Sequence, residues 1–132
     1  MHTIRLYPHA DGLLAFDLKE ILAALGPNGL LLFWTVGDVP SAREAFDATG
    51  EGGDALEKLA ASGERVSGSH LTQIAKDVRQ VIWGEFKGYV DMAAVTPHVE
   101  VAAIDSSWWE IRSADPPLLD RIAAFFDRVE RL

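Results

Sequence analysis

The stretch Val99-Glu-Val-Ala-Ala-Ile-Asp-Ser-Ser-Trp-Trp-Glu-Ile-Arg112 constrains this chain more than any other. It reads as two short strands joined at Asp105-Ser106-Ser107, with a helix starting directly afterwards at Asp115-Pro116. Val99, Val101, Ile104 and Ile111 are β-branched and two tryptophans stand side by side, the composition of a pleated, half-buried surface. Neighbours on a strand point to opposite faces, so Trp108 and Trp109 cannot enter the same layer. Trp109 is in phase with Ile111 and belongs to the core. Trp108 shares its side with Glu110 and Arg112. It is either covered by helices or lies at a groove beside a carboxylate, where an indole offers contact area and an N–H donor.

The rest of the chain supplies partners for this hairpin. Ile4 and Leu6 alternate with polar neighbours and predict a first strand closed by Pro8. Asp11 is expected to cap a helix with Leu14, Leu18, Ile21, Leu22 and Leu25 as its apolar stripe, stopped by Gly26-Pro27. The run from Leu30 to Val36, apolar apart from Thr35, predicts a strand covered on both faces near the middle of the sheet. Ser41 with Glu44, and Asp54 with Glu57, have capping-box spacing for two short helices, with Thr49 to Gly53 as a flexible link and Gly63 as a stop. Ser69 is expected to cap a longer helix with Leu71, Ile74, Val78, Val81 and Ile82 inward, ended by Gly84. From Phe86 the apolar period becomes two, so a strand runs to Ala94 and turns at Thr96-Pro97-His98 into the hairpin, giving an antiparallel meander. The final helix is expected to place Leu118, Leu119, Ile122, Phe125, Phe126 and Val129 on one face. The expected fold is α+β, one domain spanning residues 1–132. A five-stranded, mostly antiparallel sheet packs against four to five helices.

Several functions are disfavoured by composition. The chain of 132 residues has no cysteine, so it has no disulfide framework, thiolate zinc site or cysteine nucleophile, and it fits a reducing cytoplasm. The longest apolar run, Leu30 to Trp34, is too short to span a bilayer. A net charge of −8 opposes phosphate backbones, so neither nucleic acid nor an anionic membrane is an expected partner. Between Asp38 and Glu64 seven acidic residues stand against Arg43 and Lys58, so this segment carries −5. A solvated face accounts for any single carboxylate there. Taken together, Glu44, Asp47, Glu51, Asp54 and Glu57 form a candidate docking surface for a basic partner, with Trp108 as an aromatic anchor where it is exposed.

Signatures of catalysis are sparse. Asp105, Ser106 and Ser107 have the chemistry of a turn stabilised by side-chain-to-backbone hydrogen bonds. With Trp108 and Glu110 they also outline a candidate small-molecule groove. His98 and Glu100 are two apart on a predicted strand and, with Asp91, could form a carboxylate-histidine site. A solvated turn histidine is the simpler reading, and no metal or other cofactor is expected. The glycines from Gly50 to Gly53 lack a following Gly-Lys-Ser/Thr and are flanked by Glu51 and Asp54, which opposes a phosphate loop. No Gly-x-Ser-x-Gly elbow is present. Ser67-Gly-Ser-His70 is better explained by helix capping than by a nucleophile with its base.

The runs Gln80-Val-Ile-Trp-Gly-Glu-Phe-Lys-Gly-Tyr89 and Ala103-Ile-Asp-Ser-Ser-Trp-Trp-Glu-Ile111, followed by an amphipathic helix ending Phe125-Phe126-Asp127-Arg128-Val129, resemble a pattern seen in small uncharacterised bacterial proteins. In size, acidity and lack of cysteine the chain also resembles immunity proteins of bacterial toxin systems in general character. The resemblance brings no catalytic residue onto any position. Solubility and acidic charge favour a non-enzymatic interaction module, an inhibitor or immunity-type protein that binds a basic partner, as the expected function. The alternative is a small enzyme or small-molecule binder using the groove near Asp105, Trp108 and Glu110.

Overall fold

The computed structural model describes all 132 residues. The chain begins with β1 (His2–Leu6) and a small hairpin, β2 (His9–Ala10) and β3 (Leu13–Leu14). Helices α1 (Leu18–Ala24) and α2 (Pro27–Leu31) lead into β4 (Phe33–Gly37) and β5 (Asp47–Thr49). Helix α3 (Glu51–Ser62), β6 (Val66–Ser67) and α4 (Gly68–Ala75) follow. The long β7 (Gln80–Tyr89), β8 (Val99–Ile104) and β9 (Trp108–Ser113) form the meander, and α5 (Pro116–Ala123) and β10 (Val129–Arg131) close the chain.

Strands β7, β8 and β9 pair in sequence, as their short connections require. The first strand adds to the free edge of β9, with Leu6 opposite Trp109, and β10 adds outside it, with Val129 opposite Leu6. At the other side, β4 pairs with β7 along residues 85–89 and β5 pairs along residues 80–83, so the two share one edge of β7. The order is β10-β1-β9-β8-β7-β4-β6, with β5 beside β7, and every pairing is antiparallel.

One face of this sheet is dry. Ile4, Leu6, Trp34, Val36, Phe86, Val101, Trp109 and Ile111 are buried there with Leu18, Ile21, Leu25, Leu56, Leu71, Leu119 and Ile122 from the helices. The other face carries Arg5, Glu85, Lys87, Glu100, Trp108, Glu110 and Arg112, all partly exposed. The expected phase of the tryptophans is observed: Trp109 is 1% exposed, and Trp108 lies on the solvent side.

The sheet has eight strands, not five. The additional β5, β6 and β10 are two or three residues long, too short to carry a period, and exist because a neighbouring strand offers unpaired backbone groups. Leu30 and Leu31 are not in the strand. They belong to α2 and are exposed, and β4 alternates Trp34 and Val36 inward with Phe33 and Thr35 outward. Asp11 does not cap a helix. Asp11 and Gly12 both take positive φ between the paired residues Ala10 and Leu13, the Asp-Gly turn that matches the twist of a two-residue hairpin. The helix instead starts after Asp17, whose backbone N–H donates to the Glu20 carboxylate at 2.9 Å.

Three other boundaries move. A 3₁₀ turn, Pro40–Ala42, replaces the helix expected from Ser41, and α3 starts at Glu51, three residues before Asp54, because Gly52 and Gly53 lie against the backbones of Ile74 and Ala48. Ser67, not Ser69, caps α4 by accepting from the His70 N–H. That helix ends near Ala75, and Val81 and Ile82 lie in β7, where β-branched side chains favour an extended backbone. The strand stops at Tyr89, leaving Val90 and Met92 exposed in a loop. Helix α5 stops at Ala123, so Phe125 and Phe126 lie beyond it, and Val129 pairs with β1 rather than lining a helical stripe. Leu119 and Ile122 are buried as expected, whereas Phe126 is only half-buried, its ring against Phe16 at a centroid distance of 4.5 Å.

Candidate functional site

The acidic segment forms β5, α3 and the loop before them. Glu44, Asp47, Glu51, Asp54 and Glu57 are all exposed. Along α3 the carboxylates recur every three residues, opposite the buried Gly52, Gly53 and Leu56. None of the five makes an ion pair, and Lys58 on the same helix makes none either. Glu51 and Asp54 lie in the first turn of α3, where the helix dipole favours negative charge.

The open sheet face behaves differently. Arg5 Nε donates to Glu110 Oε1 at 3.0 Å, and Trp108 Nε1 donates to the same oxygen at 3.3 Å. The Arg5 guanidinium lies 4.9 Å from the centroid of the Trp108 ring. Lys87 and Arg112 lie between Glu85 and Glu100 at 3.2 to 3.9 Å. Strands β7 and β8 separate Trp108 from Asp47, and Trp108 faces away from the helices. The fold therefore does not bring this aromatic to the carboxylates of α3.

Asp105, Ser106 and Ser107 form the turn between β8 and β9. Asp105 and Ser106 take left-handed backbone conformations, and Ser107 Oγ donates to the Asp105 carbonyl at 3.3 Å. The Ser106 N–H donates to the Ile82 carbonyl, and the Ser106 carbonyl lies 2.8 Å from His9 Nε2. Of the proposed groove residues, only Trp108 and Glu110 are joined side chain to side chain by a hydrogen bond, and Arg5 shares their carboxylate. The carboxylate-histidine group is dispersed. Glu100 faces Lys87 and Arg112, His98 lies 3.9 Å from Asp115, and Asp91 Oδ1 accepts the Ala93 and Ala94 N–H groups.

Two features have no counterpart in the sequence reading. The first is Asp17, a buried carboxylate whose Oδ2 accepts the Val81 N–H at 3.1 Å and so ties α1 to β7. Burial pushes its pKa up to about 6, with the charge of Glu20 adding to the rise and the Leu18 and Val81 N–H groups opposing it. Between the ordinary value of 3.8 and about 6 the folded chain holds a proton that the unfolded chain has lost. Stability from this group is therefore full below the lower value and is lost as pH rises through the upper one, a change on the order of 3 kcal/mol. Replacing Asp17 with Asn, which keeps an acceptor for Val81, should remove that pH dependence. Urea unfolding of both proteins at acidic and neutral pH measures it as a change in their stability difference. A difference that stays constant across this range would place the Asp17 pKa near its ordinary value. The Asp17-x-x-Glu20 spacing directly before Leu18 was the sequence signal for this residue.

The second is a cleft of about 520 Å³ between α1, the β2–β3 hairpin and the turn after α5. Tyr7, Phe16, Phe125 and Phe126 wall it. Ala10, Ala15, Ala23 and Ala24 contribute methyl groups, and His9, Glu20, Asp127 and Arg128 stand at its polar edge. Arg128 Nη1 donates to the His9 carbonyl at 3.0 Å, and its guanidinium lies 5.6 Å from the Tyr7 ring centroid. Nothing in the sequence periodicity marks these residues as neighbours, because the expected helix through Val129 carried Phe125 and Phe126 into the core.

No helix is long and apolar enough to cross a membrane. No protein-family model, no curated protein and no solved structure matches the chain.

Proposed function

We propose that the protein is a non-enzymatic interaction module, an inhibitor or immunity-type protein that binds a basic partner through the surface of α3 and the segment before it. The observation that carries this reading is the contrast between two charged faces. The carboxylates of the open sheet face are neutralised by Arg5, Lys87 and Arg112. Glu44, Asp47, Glu51, Asp54 and Glu57 have no cationic partner within the chain. A charged face left unpaired steers an oppositely charged partner and loses that advantage as salt screens it.

A groove at Asp105, Trp108 and Glu110 is the weaker reading. Its carboxylate already accepts from Arg5 and Trp108, so a ligand would have to displace an existing charge-assisted bond.

The test is charge reversal of Glu51, Asp54 and Glu57 to Lys together, with affinity capture from the source cell at low and physiological salt. All three positions are exposed, so the variant should keep the wild-type far-ultraviolet spectrum despite a modest loss from placing Lys in the first turn of α3, about 0.3–1 kcal/mol per position. The expected result is capture of a basic protein by the wild type, at least about tenfold weaker for the variant and declining with salt. A partner held equally by both proteins at low salt would place the interaction elsewhere.

A further inference from the structure

We propose that the cleft between α1, the β2–β3 hairpin and the Phe125–Arg128 turn binds a flat aromatic molecule carrying a positively charged amine. Its volume of about 520 Å³ lies within the range of small-molecule pockets, roughly 300–1,000 Å³. The space exists because alanine occupies positions 10, 15, 23 and 24, where larger side chains would fill it. The walls are aromatic. Phe16 and Phe126 brace each other at 4.5 Å with their planes inclined by 49°, and Phe125 is left 67% exposed. Such a slot of rings and methyl groups fits a planar apolar body.

The charges select the sign of the ligand. Glu20 precedes Ala23 and Ala24 by one helical turn, so it lies at the end of the apolar strip of α1. Its Oε1 accepts the Asp17 N–H at 2.9 Å, and its Oε2 lies 3.6 Å from Lys19 Nζ in a solvent-exposed pair. Asp127 makes no ion pair in the chain. Arg128, the cation at this edge, already donates to the His9 carbonyl and lies over Tyr7. The unpaired Asp127 beside exposed aromatic faces attracts an organic ammonium, Glu20 adds to it by exchanging its weak exposed pair with Lys19, and the chain's net charge of −8 repels an anion.

Three dyes of similar size test the proposal by fluorescence titration of the intact protein: cationic auramine O, neutral phenylnaphthylamine and anionic anilinonaphthalene sulfonate. The expected order of affinity is cation, neutral, anion, with one cation bound per chain. Ala23→Phe, at an exposed position of α1, should weaken the cationic and neutral dyes by at least about tenfold by filling the slot. Phe125→Ser, beyond α5, should weaken them as well. Glu20→Gln with Asp127→Asn should weaken auramine O alone, by about fivefold to tenfold. Glu51→Gln with Asp54→Gln and Glu57→Gln should leave its affinity unchanged. The proposal is overturned if the anion binds as tightly as the cation, if Ala23→Phe and Phe125→Ser both leave auramine O affinity unchanged, or if neutralising α3 abolishes binding. It is also overturned if sedimentation shows a dimer that Ala23→Phe dissociates, since the cleft would then hold a second copy of the chain.

Discussion

Truncating Trp109 to alanine is expected to cost about 3–5 kcal/mol, among the largest losses for a single truncation in this core. Its indole is 1% exposed at the centre of the sheet's buried face. It stands opposite Leu6 on one side and Ala103 on the other, and its ring centroid lies 6.4 Å from that of Phe86. Alanine at 103 makes room for the indole and is too small to fill the void, and Leu6 and Phe86 are themselves fully buried and held by their own packing. A cavity that cannot collapse retains most of its penalty. Urea unfolding measures the loss as a shift of the midpoint at unchanged slope. An unaltered midpoint would mean that this ring does not seal the meander against β1. The matching change at Trp108, which is half-exposed and held by Arg5 and Glu110, should cost far less.

A second large effect is expected from one added methyl group. Gly68 opens α4 where the chain passes α2, and its N–H donates to the Leu32 carbonyl at 2.8 Å. A Cβ built there would lie within 2.6 Å of the Leu30 carbonyl oxygen and closer still to that of Gly29. Both obstacles are backbone, so no rotamer change relieves them. Gly68→Ala must push α4 away from α2, at a cost of about 3 kcal/mol or more. The adjacent Ser69→Ala, at an exposed position, is the control and should change the unfolding midpoint little. Equal midpoints for the two variants would show that α2 and α4 have slack between them.

Against these two, the loss expected from Phe126→Ala is reduced by the structure. A continuous helical stripe would have buried the ring fully. It lies past the end of α5, half-exposed against Phe16 at the edge of the cleft.

The sequence by itself determined the hairpin from Val99 to Arg112, the opposite facing of Trp108 and Trp109, the start of the last helix at Pro116 and the α+β class. Each rests on information held within a few neighbouring residues: a period of two, a turn of polar residues, or a proline after an acidic cap. The exposed carboxylates from Glu44 to Glu57 were legible for the same reason, since charge density along the chain needs no fold to be counted. Tertiary structure alone decided the placement of β1 between β9 and β10, and the short strands β5, β6 and β10. Their pairing satisfies backbone groups offered by strands far away in sequence. It also decided that the chain bends after Ala123 to return along β1. That bend takes Phe125 and Phe126 out of the core and brings Asp127 and Arg128 to the mouth of a cleft shared with α1. A cleft is empty space between elements, and no local period encodes it. Asp17 lies between these cases. Its cap spacing could be read from the chain, but its raised pKa comes from burial against β7, which only the assembled sheet provides.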